Sequence, residues 1–369
     1  MTSLEDALTL SIAFGTKNGL QPHGAPPLLD PTRRMEDWFE MDASQLEDAR
    51  VPPAQRRRLL ASSSRDEAQR ILDRTGETTW LWRGHAQWPV AFEHIPDPPF
   101  VLAFNGNPEL LQEPGVAVVG PRAATPYGLH AAQCFASALA LSRICVTSGL
   151  ARGVDAIAHR SAISAKAPTL AVLGSSLDRV YPSEHEGLAN EILEHGGLLL
   201  SEAPPGTEAR PSLFPRRNRL LAALSQSILV VEATRRSGAL LTAEWALCYD
   251  RPIFAVPGAW SSPQSEGCHR LIRDGATLTD SPDSLIADLG LQKGEACPAA
   301  RLAHADQVAV VEALRRRPRP FDALLSEVGI ERARLMIVLR ELEVTGHIER
   351  DAGDGYRLAG LSQPQRTVM

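Results

Sequence analysis

Between residues 115 and 290, short apolar, β-branched runs alternate with segments of helical period. The runs occupy 116–119, 144–147, 169–173, 198–201, 228–231, 253–256 and, weakly, 276–279. The helical segments occupy 127–142, 152–165, 184–195, 217–225, 238–249 and 266–274. Strands that are apolar throughout are covered on both faces. The pattern therefore predicts an α/β fold, a Rossmann-like doubly wound parallel sheet with helices on either side. Right-handed crossovers send every strand-to-helix loop to one edge of such a sheet, and ligands bind outside that carboxyl edge.

The flanks read differently. Residues 1–83 are mostly helical in pattern but interrupted by proline and charge, and predict a helical N-terminal domain. The run Arg56-Arg57-Arg58 could touch phosphate or form a solvated helix face. Residues 84–114 carry Pro89, Pro96, Pro98 and Pro99 and read as a connector, since a PDPP stretch cannot be helical throughout. Residues 115–290 form the main domain, 291–305 a linker, and 306–360 a small unit of three helices and a hairpin, a winged-helix pattern. Its third helix mixes Arg332, Arg334 and Arg340 with Glu331, Glu341 and Glu343, so both DNA and protein remain open as its partner. The tail, 361–369, reads as disordered.

The rim of the main domain concentrates glycine and arginine. By position, the strand-to-helix loops carry Gly120-Pro121-Arg122, Ser148-Gly149-Leu150-Ala151-Arg152-Gly153, Gly174-Ser175-Ser176, Glu202-Ala203-Pro204-Pro205-Gly206, Arg235-Arg236-Ser237-Gly238 and Val256-Pro257-Gly258. Gly149 and Gly153 keep the second loop thin, and Arg152 stands at the start of a helix, where unpaired N–H groups favour an anion. The alternative is a tight turn with a solvated arginine. The segment 210–219, RPSLFPRRNR, adds four arginines and Phe214 with no acid among them. Bases that track a backbone beside a ring that stacks on a base are how single-stranded nucleic acid is held. A core role for Phe214 is the competing reading. Net charge is −6, so local patches rather than the total must carry any binding to a polyanion.

Catalytic readings are weaker. The first turn lacks G-x-G-x-x-G and no P-loop occurs, so neither a dinucleotide nor another cofactor is expected. The five cysteines are scattered without ligand spacing, so no metal is expected and the thiols read as reduced. Asp155 and His159 are four apart on one helix and could form an acid–base pair, although Asp155 could equally steady the preceding turn. Glu202 and Glu232 both end strands at the rim. A Rossmann-like nucleotide-binding enzyme or sensor of the phosphoribohydrolase-like type is the rival class. The stretch 236–244 lacks that class's PGG-x-G-T glycines but keeps Glu244. No apolar run approaches the ~18–20 residues of a membrane span, the N-terminus has acids where a signal peptide needs bases, and a cytoplasmic protein is expected.

The order of VAVVGPR, SGLARGVDAIAH, AVLGSSLD with Tyr181-Pro182, LLSEAPPG, FPRRNR, VVEATRRSGALLTA and FAVPG resembles the DNA-processing protein A family (DprA, also called Smf) over about half the chain. The resemblance implies an extended Rossmann domain between a helical N-terminal and a winged-helix C-terminal domain. It implies a non-enzymatic, dimeric single-stranded DNA-binding protein that protects incoming DNA. Such a protein loads a RecA-type recombinase in natural transformation and homologous recombination, with single-strand-binding protein as a further partner. Carried over by position, it puts DNA contacts at Arg122, Ser148, Gly149, Arg152, Gly153, Phe214, Arg217, Asn218, Arg219, Ser237 and Gly238. This chain has Pro121, Ser176, His185 and His269 where the family pattern usually has Ser, Gly, Asn and Asn.

Overall fold

The structure is a computed structural model that describes residues 4–14, 37–49, 51, 53–74, 78–95, 98–291, 305–314, 318–344, 348–350 and 355–358. The expected linker core at 292–304, the tail 361–369 and the turn at 351–354 lie outside these residues. The chain divides into two compact units, Met1–Glu295 and Ala296–Met369.

The first unit opens with helices α1 (Leu4–Phe14), α2 (Asp37–Glu40), α3 (Ala43–Asp48), α4 (Pro53–Leu60) and α5 (Ser62–Arg74). The rest alternates as the sequence predicts: β1 (Thr79–Trp82), β2 (Val101–Gly106), β3 (Gly115–Val119), α6 (Pro126–Leu141), β4 (Cys145–Ser148), α7 (Val154–Ser164) and β5 (Thr169–Leu173). There follow α8 (Glu186–Glu194), β6 (Leu198–Ser201), α9 (Leu213–Leu224), β7 (Ser227–Val230), α10 (Gly238–Cys248), β8 (Ile253–Ala255), α11 (Glu266–Arg273), β9 (Thr277–Leu278) and α12 (Pro282–Asp288).

All nine strands form one sheet in the order β1-β2-β6-β5-β4-β3-β7-β8-β9. Every pairing from β6 to β9 is parallel. The chain winds from β3 out to β6, returns to β7 and winds the other way, which is the doubly wound plan. Helices α6, α7 and α12 cover one face through Ala132, Phe135, Leu139, Ala158 and Ile286, and α9 and α10 cover the other through Leu220, Leu221, Leu240 and Trp245.

The sheet begins earlier than the sequence reading placed it. Stretches assigned to the helical domain and the connector form β1 and β2, which extend the sheet beyond β6, β2 antiparallel to β6 and β1 antiparallel to β2. Their side chains explain why. Leu81, Leu102 and Phe104 enter the main core, while Trp80, Phe100, Val101 and Ala103 pack with Leu8, Leu10, Trp38 and Leu46 of the N-terminal helices. Alternate residues of these strands thus join two cores, so β1 and β2 carry the helical segment on the sheet.

The second unit holds α13 (Ala305–Leu314), β10 (Arg319–Pro320), α14 (Phe321–Val328), α15 (Arg332–Val344), β11 (Ile348–Arg350) and β12 (Gly355–Leu358). Its strands pair in the order β10-β12-β11. Val310, Leu314, Leu324, Leu335, Val338, Leu339 and Ile348 form its core, a winged-helix arrangement. Among the described residues no helix is long and apolar enough to cross a membrane.

Candidate nucleic-acid interface

Strand order puts the loops after β5, β4, β3, β7 and β8 side by side on the carboxyl edge. The glycine- and arginine-bearing loops are therefore neighbours, spread over roughly 19 Å at the usual strand spacing. The turn from β4 into α7 is the best-braced part. Asp155, in the first turn of α7, accepts hydrogen bonds from the backbone N–H of Gly149 (3.1 Å) and Ala151 (3.3 Å). Burial raises the Asp155 carboxyl above its ordinary pKa, against the pull of Arg217 and those two N–H groups. Leu150 adopts positive φ to sit fully buried, and its carbonyl accepts a bond from His185 Nδ1 at 2.8 Å. Gly153, at φ +75°, lies so close to the preceding loop that a Cβ there would stand 2.3 Å from the Pro121 carbonyl oxygen.

These contacts change the roles expected of several residues. Gly149 is thin for an internal reason: a Cβ would stand 1.5 Å from Arg217 Nη1, so the glycine lets a buried arginine pass beneath the turn. Arg217 donates to the Val172 carbonyl at 2.7 Å, and burial lowers its pKa while Asp155 opposes that shift. Ser148 is buried, its hydroxyl donating to the Val118 carbonyl at 2.7 Å. Two of the N–H groups expected to meet a phosphate are already bound by Asp155.

The arginine-rich segment is held internally in the same way. Arg217, Asn218 and Arg219, expected to contact DNA, are buried inside α9, which starts earlier than the sequence suggested. Arg219 is 2% exposed and binds the Glu202 carboxylate at 2.7 Å, and Arg216 joins it at 2.8 Å. Burial alone would raise the Glu202 carboxyl, but the two guanidinium charges more than offset it and hold the group below its ordinary pKa. Asn218 donates to the Gly238 carbonyl at 3.3 Å, at the start of α10, where Ser237 is the N-cap and accepts from Ala239 N–H. These residues brace the rim from within.

Several of the remaining rim residues meet in a pocket. It is lined by Arg122, Gly149, Ala151, Arg152, Tyr181, Pro182 and Phe214. The Arg122 guanidinium lies over the Phe214 ring, 4.8 Å from its centroid, and Tyr181 packs on the same ring at 5.6 Å. Gly174, at the end of β5, makes room for that ring, since a Cβ there would be 2.9 Å from it. Arg152 also lines the pocket, paired through Nε with Glu184. Sequence reasoning found Arg122, Arg152 and Phe214. It missed Tyr181, whose pairing with Pro182 was the available signal, and Glu184, for which no signal existed. Of the other rim arginines, Arg235 pairs with Glu266 at 2.9 Å.

The acid–base pairs considered from sequence do not assemble. His159 is fully buried, and its Nδ1 meets Thr169 Oγ1 at 2.9 Å rather than Asp155. Thr169 gives its own proton to the Val146 carbonyl, so Nδ1–H must be the donor. Burial, with Arg217 and His185 nearby, pushes the imidazole pKa down to about 3. Glu202 and Glu232 follow strands four places apart in the sheet. Glu232 instead holds Thr125, the N-cap of α6, accepting from its N–H at 3.0 Å and from its hydroxyl. Two of the departures from the family pattern also have local partners: Ser176 donates to the Thr207 carbonyl at 2.9 Å, and His269 Nε2 meets the Gly258 carbonyl at 3.1 Å.

Comparison with known proteins agrees with this architecture. Residues 79–290 match the family described as DNA recombination-mediator protein A, and residues 294–354 match the DprA winged helix domain. The chain is 37% identical over 330 residues to Protein Smf of Escherichia coli, covering 82% of this chain and 86% of that one. The X-ray structure of DNA processing protein A from Streptococcus pneumoniae aligns with a TM-score of 0.63 at 29% identity, over 78% of this chain and 98% of that one. DNA processing protein A from Helicobacter pylori, whose structure concerns its single-stranded DNA binding mode, aligns with a TM-score of 0.53 at 32% identity. That alignment covers 58% of this chain and 95% of that one.

Proposed function

Since the chain belongs to the DNA recombination-mediator protein A family, we propose that its carboxyl rim binds single-stranded DNA. The observation that carries this reading is the pocket in which Arg122 lies on Phe214, Tyr181 flanks the ring and Arg152 also lines the wall. Guanidinium groups neutralise successive phosphates, and the rings offer stacking faces to unpaired bases but not to a closed duplex. Arg122, Arg152 and Phe214 are the direct contacts, with Gly153 beside them and Ser237-Gly238 at the start of α10 as a second anion site. Ser148, Gly149, Arg217, Asn218 and Arg219 hold these groups in place. The likeness to a protein whose single-stranded DNA binding mode has been described supports the same ligand here.

In this reading the protein is cytoplasmic, protects incoming single strands and loads a RecA-type recombinase on them, in natural transformation and homologous recombination. A homodimer joins two rims into a longer track, and single-strand-binding protein is displaced during loading. No catalytic step is assigned.

The test is fluorescence anisotropy of a labelled dT oligonucleotide against a duplex of equal length, across a salt series. Preference for the single strand, with affinity falling linearly on a log–log salt plot, is the expected result. Equal binding of both, or affinity indifferent to salt, removes the reading. Recombinase loading is tested separately, by filament formation on strands already covered with single-strand-binding protein.

A further inference from the structure

Arg152 does not face solvent unengaged. Its Nε contacts Glu184 Oε1. The contact holds the Glu184 carboxyl below its ordinary pKa, so it is charged at neutral pH. Glu184 is not a wandering surface acid. It sits in a short 3-10 turn, Ser183–His185, between the buried Pro182 and the buried His185. His185 is tied through Nδ1 to the carbonyl of Leu150, two residues before Arg152. The carboxylate is thus anchored to the turn that presents the arginine.

Carboxylate and phosphate compete for the same guanidinium edge, because both accept paired N–H donors side-on. A phosphate that takes the Nε edge of Arg152 must first displace Glu184. The Arg122 guanidinium rests on an aromatic ring instead, and meets an incoming phosphate with no carboxylate rival among the described contacts.

We propose that Glu184 is an internal phosphate mimic, an autoinhibitory carboxylate that occupies Arg152 in the free protein and lowers the affinity of the rim for single strands. This rests on the reading that the rim binds DNA, and the experiment separates the two. Glu184→Gln keeps the shape and removes the charge. Binding of a labelled dT oligonucleotide is measured for wild type, Glu184→Gln, Arg152→Ala and the double variant, with Glu186→Gln as a neighbouring acid outside the pocket.

Glu184→Gln is expected to tighten binding about two- to fivefold, the range set by exposed ion pairs. It should change nothing when Arg152 is already alanine, and Glu186→Gln should match wild type. Equal tightening in both Arg152 backgrounds, or from Glu186→Gln, means general relief of negative charge and overturns the proposal. An unchanged affinity for Glu184→Gln, with Arg152→Ala still weakened, overturns it while leaving the rim assignment intact. If Arg152→Ala itself binds like wild type, Arg152 is not a strand contact and the mimic falls with it.

Discussion

Arg219 and Arg152 belong to the same rim, yet their surroundings differ in almost every respect. The Arg219 side chain is 2% exposed and locked on a buried carboxylate; that of Arg152 is 49% exposed and paired with a half-exposed one. Arg217 stands with the first, lying beneath a glycine that has no room for a Cβ. Arg122 stands with the second, held only by an aromatic face. One group therefore builds the pocket and the other lines it. A buried guanidinium cannot reach a phosphate without unfolding α9, whereas an exposed one contributes little to stability and is free to serve a ligand.

This contrast can be broken most easily at Glu202. Glu202→Ala leaves Arg219 charged and buried, and should cost about 3–5 kcal/mol in chemical denaturation. The sign of the pH dependence follows from the same pair. A carboxyl whose folded pKa is depressed contributes stability above its unfolded pKa and loses it as pH falls through the folded value. Wild type should therefore lose stability from about pH 4 downward, and Glu202→Ala should show a flatter acid limb. A variant as stable as wild type would mean that the buried arginines do not hold the rim.

On the other side of the comparison, Phe214→Leu should preserve α9 but remove the stacking face. The expected loss is about 1–3 kcal/mol of single-strand affinity, with little change for duplex, read by paired titrations. Arg152→Ala should weaken all strand sequences alike by about tenfold and lower the salt slope by roughly 0.7, while its melting curve stays that of wild type. The smallest effect belongs to Tyr127→Phe. The Tyr127 hydroxyl donates to the Pro257 carbonyl at 2.6 Å in an exposed position, so its removal should cost about 0.5–1.5 kcal/mol of stability and leave DNA affinity unchanged.

The fold was readable because its signals are local. Apolar runs such as 169–173 and 198–201 announce buried parallel strands without reference to anything distant. The pocket was half readable for the opposite reason. Arg217 and Arg219 looked like ligands because no acid lies within the segment 210–219. Their charge partners, Asp155 at the start of α7 and Glu202 after β6, are brought near only by the folded sheet. Glu184 was silent because its meaning depends on Arg152, 32 residues earlier. Phe214 was ambiguous until Gly174 and Arg122 were placed against it. The β1 and β2 strands were missed because prolines between them outweighed the apolar alternation on each.

The most direct measurement compares Arg122→Ala and Arg152→Ala, singly and together, by dT-oligonucleotide anisotropy at physiological salt, alongside thermal melts of the same samples. The account predicts stepwise loss of single-strand affinity with melting temperatures unchanged. Wild-type affinity in the double variant, at an unchanged melting temperature, would contradict it and place the strand elsewhere on the molecule.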